Sequence, residues 1–173
     1  MGTTAETPLT DVLIGAGAGL AGTLAKDQFQ KFAAQASSSG SDEGGGDEPS
    51  SWDEVSAPAQ VGRRVIEGVF HREVPFEQHE KVMWGTHLGY GASWGALYGV
   101  LEASAKPRTL AHGLALGSVV WASAYVILPA AKLYKPIWKY PPKTLAKDLS
   151  YHLVYGLGVA LAFAGARRLL QRT

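Results

Sequence analysis

Between Lys81 and Glu102 the chain runs for twenty residues, VMWGTHLGYGASWGALYGVL, without one Asp, Glu, Lys or Arg. As a helix such a stretch rises about 1.5 Å per residue and reaches roughly 30 Å, the thickness of a bilayer's hydrocarbon core. In lipid the backbone polar groups must be satisfied within the segment, which a helix does. Residues 110–131 and 149–166 are of the same kind, and 12–25 are a shorter version. The expected fold is all-α: a four-helix transmembrane bundle with a short amphipathic surface helix and a disordered acidic linker. It divides into an N-terminal segment with the first span (1–36), the linker (37–58), an interfacial segment (59–81) and spans two to four (82–173).

The second span has two different faces. At about 100° per residue, Gly85, Gly89, Ala92, Ala96, Gly99 and Ala103 fall on one side, where small residues admit another backbone. His87, Tyr90, Gly91, Trp94 and Tyr98 fall on the other. An unpaired imidazole is costly in lipid, so this face should also look into protein, and the helix is expected at the bundle's centre. Gly15, Gly19 and Gly22 in the first span, and Gly113 and Gly117 in the third, are assigned to helix packing on the same grounds.

Gly17, Gly19 and Gly22 also fit G-x-G-x-x-G after Val-Leu-Ile, the pattern of a dinucleotide-binding turn. That motif needs a second strand within about 30 residues. Here the chain enters a Ser/Gly/Asp/Glu tract instead, and no strand–helix alternation follows, so the glycines read as a packing seam. Fourteen residues are short for a span, so the helix is expected to continue through Lys26, Asp27 and Phe29 toward Phe32. Asp27 and Lys31 would then pair at i, i+4.

Residues 37–58 hold six acids among Ser and Gly, too few apolar groups to repay ordering, and are read as a solvated tether. From 59 to 71, Val61, Val65, Ile66, Val69 and Phe70 recur at helical spacing opposite Arg63, Arg64 and Glu67, which suits a helix lying at a membrane surface. Pro75 suits the first turn of the next helix, with Glu77 and Glu80 near its positive end. Pro129 marks a kink or frayed end of the third span. The Lys-, Tyr-, Trp- and Pro-rich connection after it belongs at the headgroup boundary.

The chain repeats itself at an offset of 65 residues. THLGYGASWGALYG, from Thr86, aligns with YHLVYGLGVALAFA, from Tyr151, so His87, Leu88, Tyr90 and Gly91 match His152, Leu153, Tyr155 and Gly156. Both histidines then lie at one depth, about one and a half turns into their helices. The end of the first helix reaches the same side. Lys26, Asp27, His87, Tyr90, His152 and Tyr155 are thus expected as one intramembrane polar cluster, while His112 belongs with Glu102 and Lys106 at the opposite boundary.

Intramembrane ionisable groups can mark a proton, ion or solute path, and imidazole titrates near neutrality. The plainer reading, adopted here, is that these side chains hydrogen-bond between helices and fix their packing. Haem or metal ligation by the two histidines has no further support, so no cofactor and no metal is expected. No nucleophile–base pair or metalloprotease helix is present, so the chain is read as non-enzymatic. The net charge of +1 gives no field for nucleic acid, and the absence of cysteine excludes disulfide and thiol chemistry. Although 46% of the residues are hydrophobic, mean hydropathy is near zero because the polar insert dilutes the spans. MGTTAETPLT lacks the basic region of a signal peptide, and Glu6 stands where myristoylation of Gly2 requires Ser or Thr.

Of the sixteen Lys and Arg, eleven lie in the first-to-second and third-to-fourth connections. The positive-inside rule places those connections in the cytoplasm and both termini outside, although the Arg-rich C-terminus pulls the other way. GTHLGYGASWGALYGVLEA, the connection 129–142, YHLVYGLGVALAFAGARR and a glycine-rich first helix ending in Lys26 resemble the YagU-like family of bacterial inner-membrane proteins. The acidic insert after the first helix departs from it. The resemblance implies a multi-pass inner-membrane location and adds no catalytic residue. The expected partners are the lipid bilayer and another copy or another membrane protein. A structural or partner-binding role in the cell envelope is the first expectation, and a small proton-coupled transporter or channel the alternative.

Overall fold

The computed structural model describes residues 8–37, 49–104 and 109–172. They form five helices, α1 (Pro8–Ser37), α2 (Ala57–Phe70), α3 (His79–Ser104), α4 (Thr109–Ala130) and α5 (Pro142–Leu170), with 3-10 turns at Phe76–Gln78 and Ile137–Lys139. No strand occurs among the described residues, so the fold is all-α and the glycines at 17, 19 and 22 lie inside a helix. Three helices, α1, α4 and α5, are long and apolar enough to cross a membrane. The second expected span, α3, has the length, 26 residues, but its Gly, Tyr, Trp and His leave it out of that set.

Local sequence explains the helix ends. Pro58 lies in the first turn of α2 and Pro142 in that of α5, where a missing N–H costs nothing. α2 stops at His71, whose left-handed backbone (φ 53°) turns the chain into an extended run leading to Val74. In α4 the helix tolerates Pro129 in its last turn. It closes with Lys132 left-handed (φ 58°) and the Leu133 N–H donating to Leu128 O at 2.9 Å, the bond pattern of a Schellman cap. Arg167 and Arg168 stand in the last turn of α5, against its negative end.

The helices pack through rows of residues spaced by four. On α1 the row is Asp11, Gly15, Gly19, Thr23 and Asp27; on α3 it is Gly99, Gly95, Gly91 and His87, running the opposite way. Matching four-spaced ridges is a common way for helices to interdigitate, and glycine removes the side chains that would hold the backbones apart. A Cβ on Gly95 would lie 2.6 Å from the Cα of Gly19. A second antiparallel pair repeats the device: Gly113 and Gly117 of α4 lie against His152, Gly156 and Ala160 of α5. Tyr155 and Val159, on the adjacent α5 row, close over Gly22 and join the pairs through α1 and α5. Ala18, Tyr98, Val159, Ala160 and Phe163 are core residues, with the Tyr98 and Phe163 rings edge to face at 5.6 Å.

Several expectations are corrected by this packing. Gly85 and Gly89 are exposed, and nothing lies within 4 Å of a Cβ placed on either, so they take no part in packing. The row that packs contains His87 and Gly91, which the sequence placed on the other face. α3 is also not central: α1 and α5 are, in the spatial order α3–α1–α5–α4, while α3 and α4 barely touch. Residues 38–48 of the linker and Lys106 lie outside the described residues. The linker's end is ordered, however. Val55 is buried, Trp52 meets Phe76 edge to face at 5.8 Å, Arg63 lies 5.1 Å over the Trp52 ring, and α2 already begins at Ala57.

Candidate polar cleft between α3 and α4

The two helix pairs correspond: α1 with α3, α4 with α5, each pairing a glycine row with a His-x-x-x-Gly row. If this correspondence were complete, α3 would close on α4 as α1 closes on α5. That edge is open instead, bridged by the Tyr90 hydroxyl and Ser123 Oγ at 3.1 Å. In the gap lies a cavity of about 270 Å³. α2 covers one side of it: Ala59 and Gly62 are buried, Gly62 sits against Val82 and Thr86, and the Arg64 guanidinium donates to the carbonyl of Ala131 at the end of α4.

Five of the six residues expected as a cluster line this cavity: Lys26, His87, Tyr90, His152 and Tyr155. Asp27 stands behind His87, whose Nε2 is 3.1 Å from its Oδ1. Its other oxygen, Oδ2, is buried without a hydrogen-bond partner, and Asp27 makes no i, i+4 pair with Lys31 among the described contacts. His152 Nδ1 donates to the carbonyl of Asp148 at 2.9 Å and lies 3.6 Å from that residue's carboxylate. The Tyr155 hydroxyl, buried, donates to Gly91 O at 2.7 Å and ties α5 to α3 across the floor. The repeated motif is therefore used unequally: Tyr155 is 4% exposed and Tyr90 42%.

Asp148 belongs to the site and was not singled out in the sequence. Its signal was the i, i+4 spacing to His152. Tyr134 and Gln30 also line the cavity. Burial, and then the Asp148 carboxylate, push the Tyr134 hydroxyl above its ordinary value, so it stays a neutral hydrogen-bond group. Facing these polar groups is an apolar wall of Val61 on α2 and Val120, Ala124, Ile127 and Leu128 on α4.

The depth differs from expectation too. α1 continues eleven residues past Lys26 and α5 begins ten before His152. Those helices thus project about 15 Å beyond the cluster, whereas α4 ends beside it, its Ile127 and Leu128 lining the cavity. His112 pairs with Glu102 at 2.5 Å at the opposite end, as its spacing implied. No cluster of three or more His, Cys, Asp or Glu suited to a metal ion occurs among the described residues. Compared with family models, curated proteins and solved structures, the chain matches none.

Proposed function

We propose that this chain is a non-enzymatic integral membrane protein in which α1, α3, α4 and α5 all cross the bilayer and α2 lies at its boundary. The observation that carries the reading is the apolar outer surface of helices that pack on one another through small residues. Leu9, Leu13, Leu24, Leu101, Leu110, Val126 and Leu161 are all more than half exposed, while the rows in which α1 meets α3 and α4 meets α5 are built largely on Gly, with Asp11 and Thr23 buried among them. Water does not favour such a distribution, whereas lipid does. α3 enters with α1 despite its lower hydropathy, because its row packs against α1 from Asp11 to Asp27 and its polar groups turn inward. Ten of those eleven basic residues, all but the cavity's Lys26, gather toward the end that also carries Trp84 and Trp138, which favours that end as the cytoplasmic boundary.

Two glycine-packed helix pairs with leucine outside suit a structural or partner-binding role in a cell envelope, with the bacterial inner membrane as the location implied by the YagU-like resemblance. A second reading, proton-coupled transport, draws on one specific observation: Lys26, His87 and His152 share a cavity with Asp148. Proton flux in proteoliposomes across a pH step distinguishes the two. Flux that the His87→Ala/His152→Ala double variant loses, with helicity intact, overturns the structural role. Absence of flux from reconstituted wild type removes the transport reading. Extraction of the protein from membranes by alkaline carbonate would refute the membrane assignment itself.

A further inference from the structure

From Ala103 to Lys147 the chain contains no Asp or Glu. Of the seven Lys and Arg in that stretch, five gather between the end of α4 and the second turn of α5: Lys132, Lys135, Lys139, Lys143 and Lys147. All five are exposed. The Arg64 guanidinium, donating to the Ala131 carbonyl, adds a sixth positive charge beside Lys132. Apart from the two at the cavity, the described acids of this end run from Asp53 to Glu80, on α2, its flanks and the first turn of α3. Charge here is therefore sorted by element, and the positive share lies on the α4–α5 connection. Arg63 and Arg167 each have a carboxylate oxygen at 2.9 Å, whereas none of the five lysines makes an ion pair within 4.0 Å among the described residues.

The connection that carries these lysines is folded down rather than standing off. The rings of Tyr125, Tyr134 and Tyr140 meet one another at 5.5–6.2 Å, and the Lys135 N–H donates to the Tyr140 hydroxyl at 3.3 Å. Tyr125 lies five residues before the end of α4, about 7.5 Å down the helix. Tyr140 packs on it, so the connection lies against the helix ends, where the headgroups of a bilayer spanned by α4 and α5 would be. Trp138, between Lys135 and Lys139 in the chain, is 80% exposed. Indole and the long lysine stem both suit that layer, each with an apolar body and a polar tip. We infer that this surface binds anionic phospholipid headgroups in preference to zwitterionic ones, the phosphodiester oxygens accepting from the lysine ammonium groups with the Trp138 indole among the lipids. Four to eight basic residues immediately beside a span are the composition that attracts acidic lipid, each worth roughly fivefold in partitioning. A choline headgroup brings its own cation, which the lysines repel. A soluble acidic protein would use the lysines, but not their place at the helix ends beside an exposed indole.

The inference rests on the membrane reading and is independent of flux. It is tested on the full chain reconstituted in phosphatidylcholine, with spin-labelled phosphatidylglycerol or phosphatidylcholine of identical acyl chains added in trace. Lipid held at the protein surface appears as a motionally restricted component in the electron spin resonance spectrum. At about 0.1 M salt that component should favour phosphatidylglycerol about threefold or more. At about 1 M, where the Debye length falls from about 10 Å to about 3 Å, the preference should largely vanish. Lys132→Gln/Lys135→Gln/Lys139→Gln should bring the ratio at low salt at least halfway to unity. Lys143→Gln/Lys147→Gln should lower it too, and serves if the triple variant does not fold. Arg168→Gln/Arg172→Gln, at the opposite end, should leave it unchanged. Equal restriction of the two lipids by wild type overturns the inference. So does a preference that survives high salt, that survives both lysine variants, or that falls only with the arginine variant. In each of these cases a restricted component is still seen and the membrane assignment stands. Its absence for both lipids overturns that assignment and the inference together.

Discussion

Replacing Gly95 by alanine tests the fold where it is least tolerant. A Cβ there would lie 2.6 Å from both the Cα and the N of Gly19 and closer still to the carbonyl oxygen of Gly15, against 3.4 Å for an ordinary contact. The obstacles are backbone atoms within helices, so no rotamer change relieves them. α1 and α3 must separate by about 1 Å, and a gap of that size forfeits a quarter to a half of each van der Waals contact along the row. The Asp27–His87 and Tyr155–Gly91 bonds stretch with it. Overpacking of this kind costs about 1–3 kcal/mol. Gly89→Ala is the internal control: it lies two turns away on the same helix with nothing within 4 Å, and there alanine should gain about 0.5–1 kcal/mol of helix stability. The two single-methyl substitutions should thus differ by about 1.5–4 kcal/mol, roughly ten- to several-hundred-fold in the unfolding equilibrium. Unfolding in mixed dodecylmaltoside/SDS micelles, followed by circular dichroism, measures the difference. If Gly95→Ala is as stable as Gly89→Ala, the four-spaced row is not the α1–α3 contact and the argument fails.

Three further substitutions probe other contacts. Arg167 Nη1 lies 2.9 Å from the Asp11 carboxylate, whose side chain is only 6% exposed; Arg167→Ala should cost about 3 kcal/mol in the same unfolding assay, and Asp11→Asn in that background should recover part of it. Tyr155→Phe should cost about 0.5–1.5 kcal/mol by removing the donor to Gly91, and a loss near zero would show that the hydroxyl merely fills space. The Glu67 carboxyl is held below its ordinary value by the Arg63 guanidinium, with the Val74 N–H adding to it. Because the folded value is the lower one, this contribution is whole above the ordinary 4.5 and is lost as pH falls through the folded value. The Val74 amide should lose exchange protection on acidification in wild type but not in Glu67→Gln, and identical profiles would refute the link.

The helices were legible in the chain because length and apolarity suffice to mark a segment able to cross a membrane, as in α1, α4 and α5; freedom from charge alone does not, since the charge-free run of α3 falls outside that set. Part of the chemical grouping was legible too, since the 65-residue repeat sets His87 and His152 at one depth, and the packing then brings both to one cavity. What the repeat hid was its unequal use: α5 lies between two helices and α3 at an edge, so Tyr155 is buried where Tyr90 is exposed.

The glycine seam of α3 illustrates a different barrier. The helix offers two small-residue stripes, one through Gly85, Gly89, Ala92 and Ala96, the other through Gly91, Gly95 and Gly99, and periodicity within α3 cannot choose between them. The choice is made by the partner. α1 carries Asp11, Gly15, Gly19, Thr23 and Asp27 at strict spacing of four, and only the second α3 stripe, extended to His87, keeps that spacing unbroken. Its first member sets an imidazole against a carboxylate, whereas the other stripe would leave His87 facing away from Asp27. Packing of the backbones and the contact of His87 with Asp27 thus select the same register, and that register leaves the stripe of Gly85 and Gly89 exposed and α3 apart from α4, with the polar cleft between them.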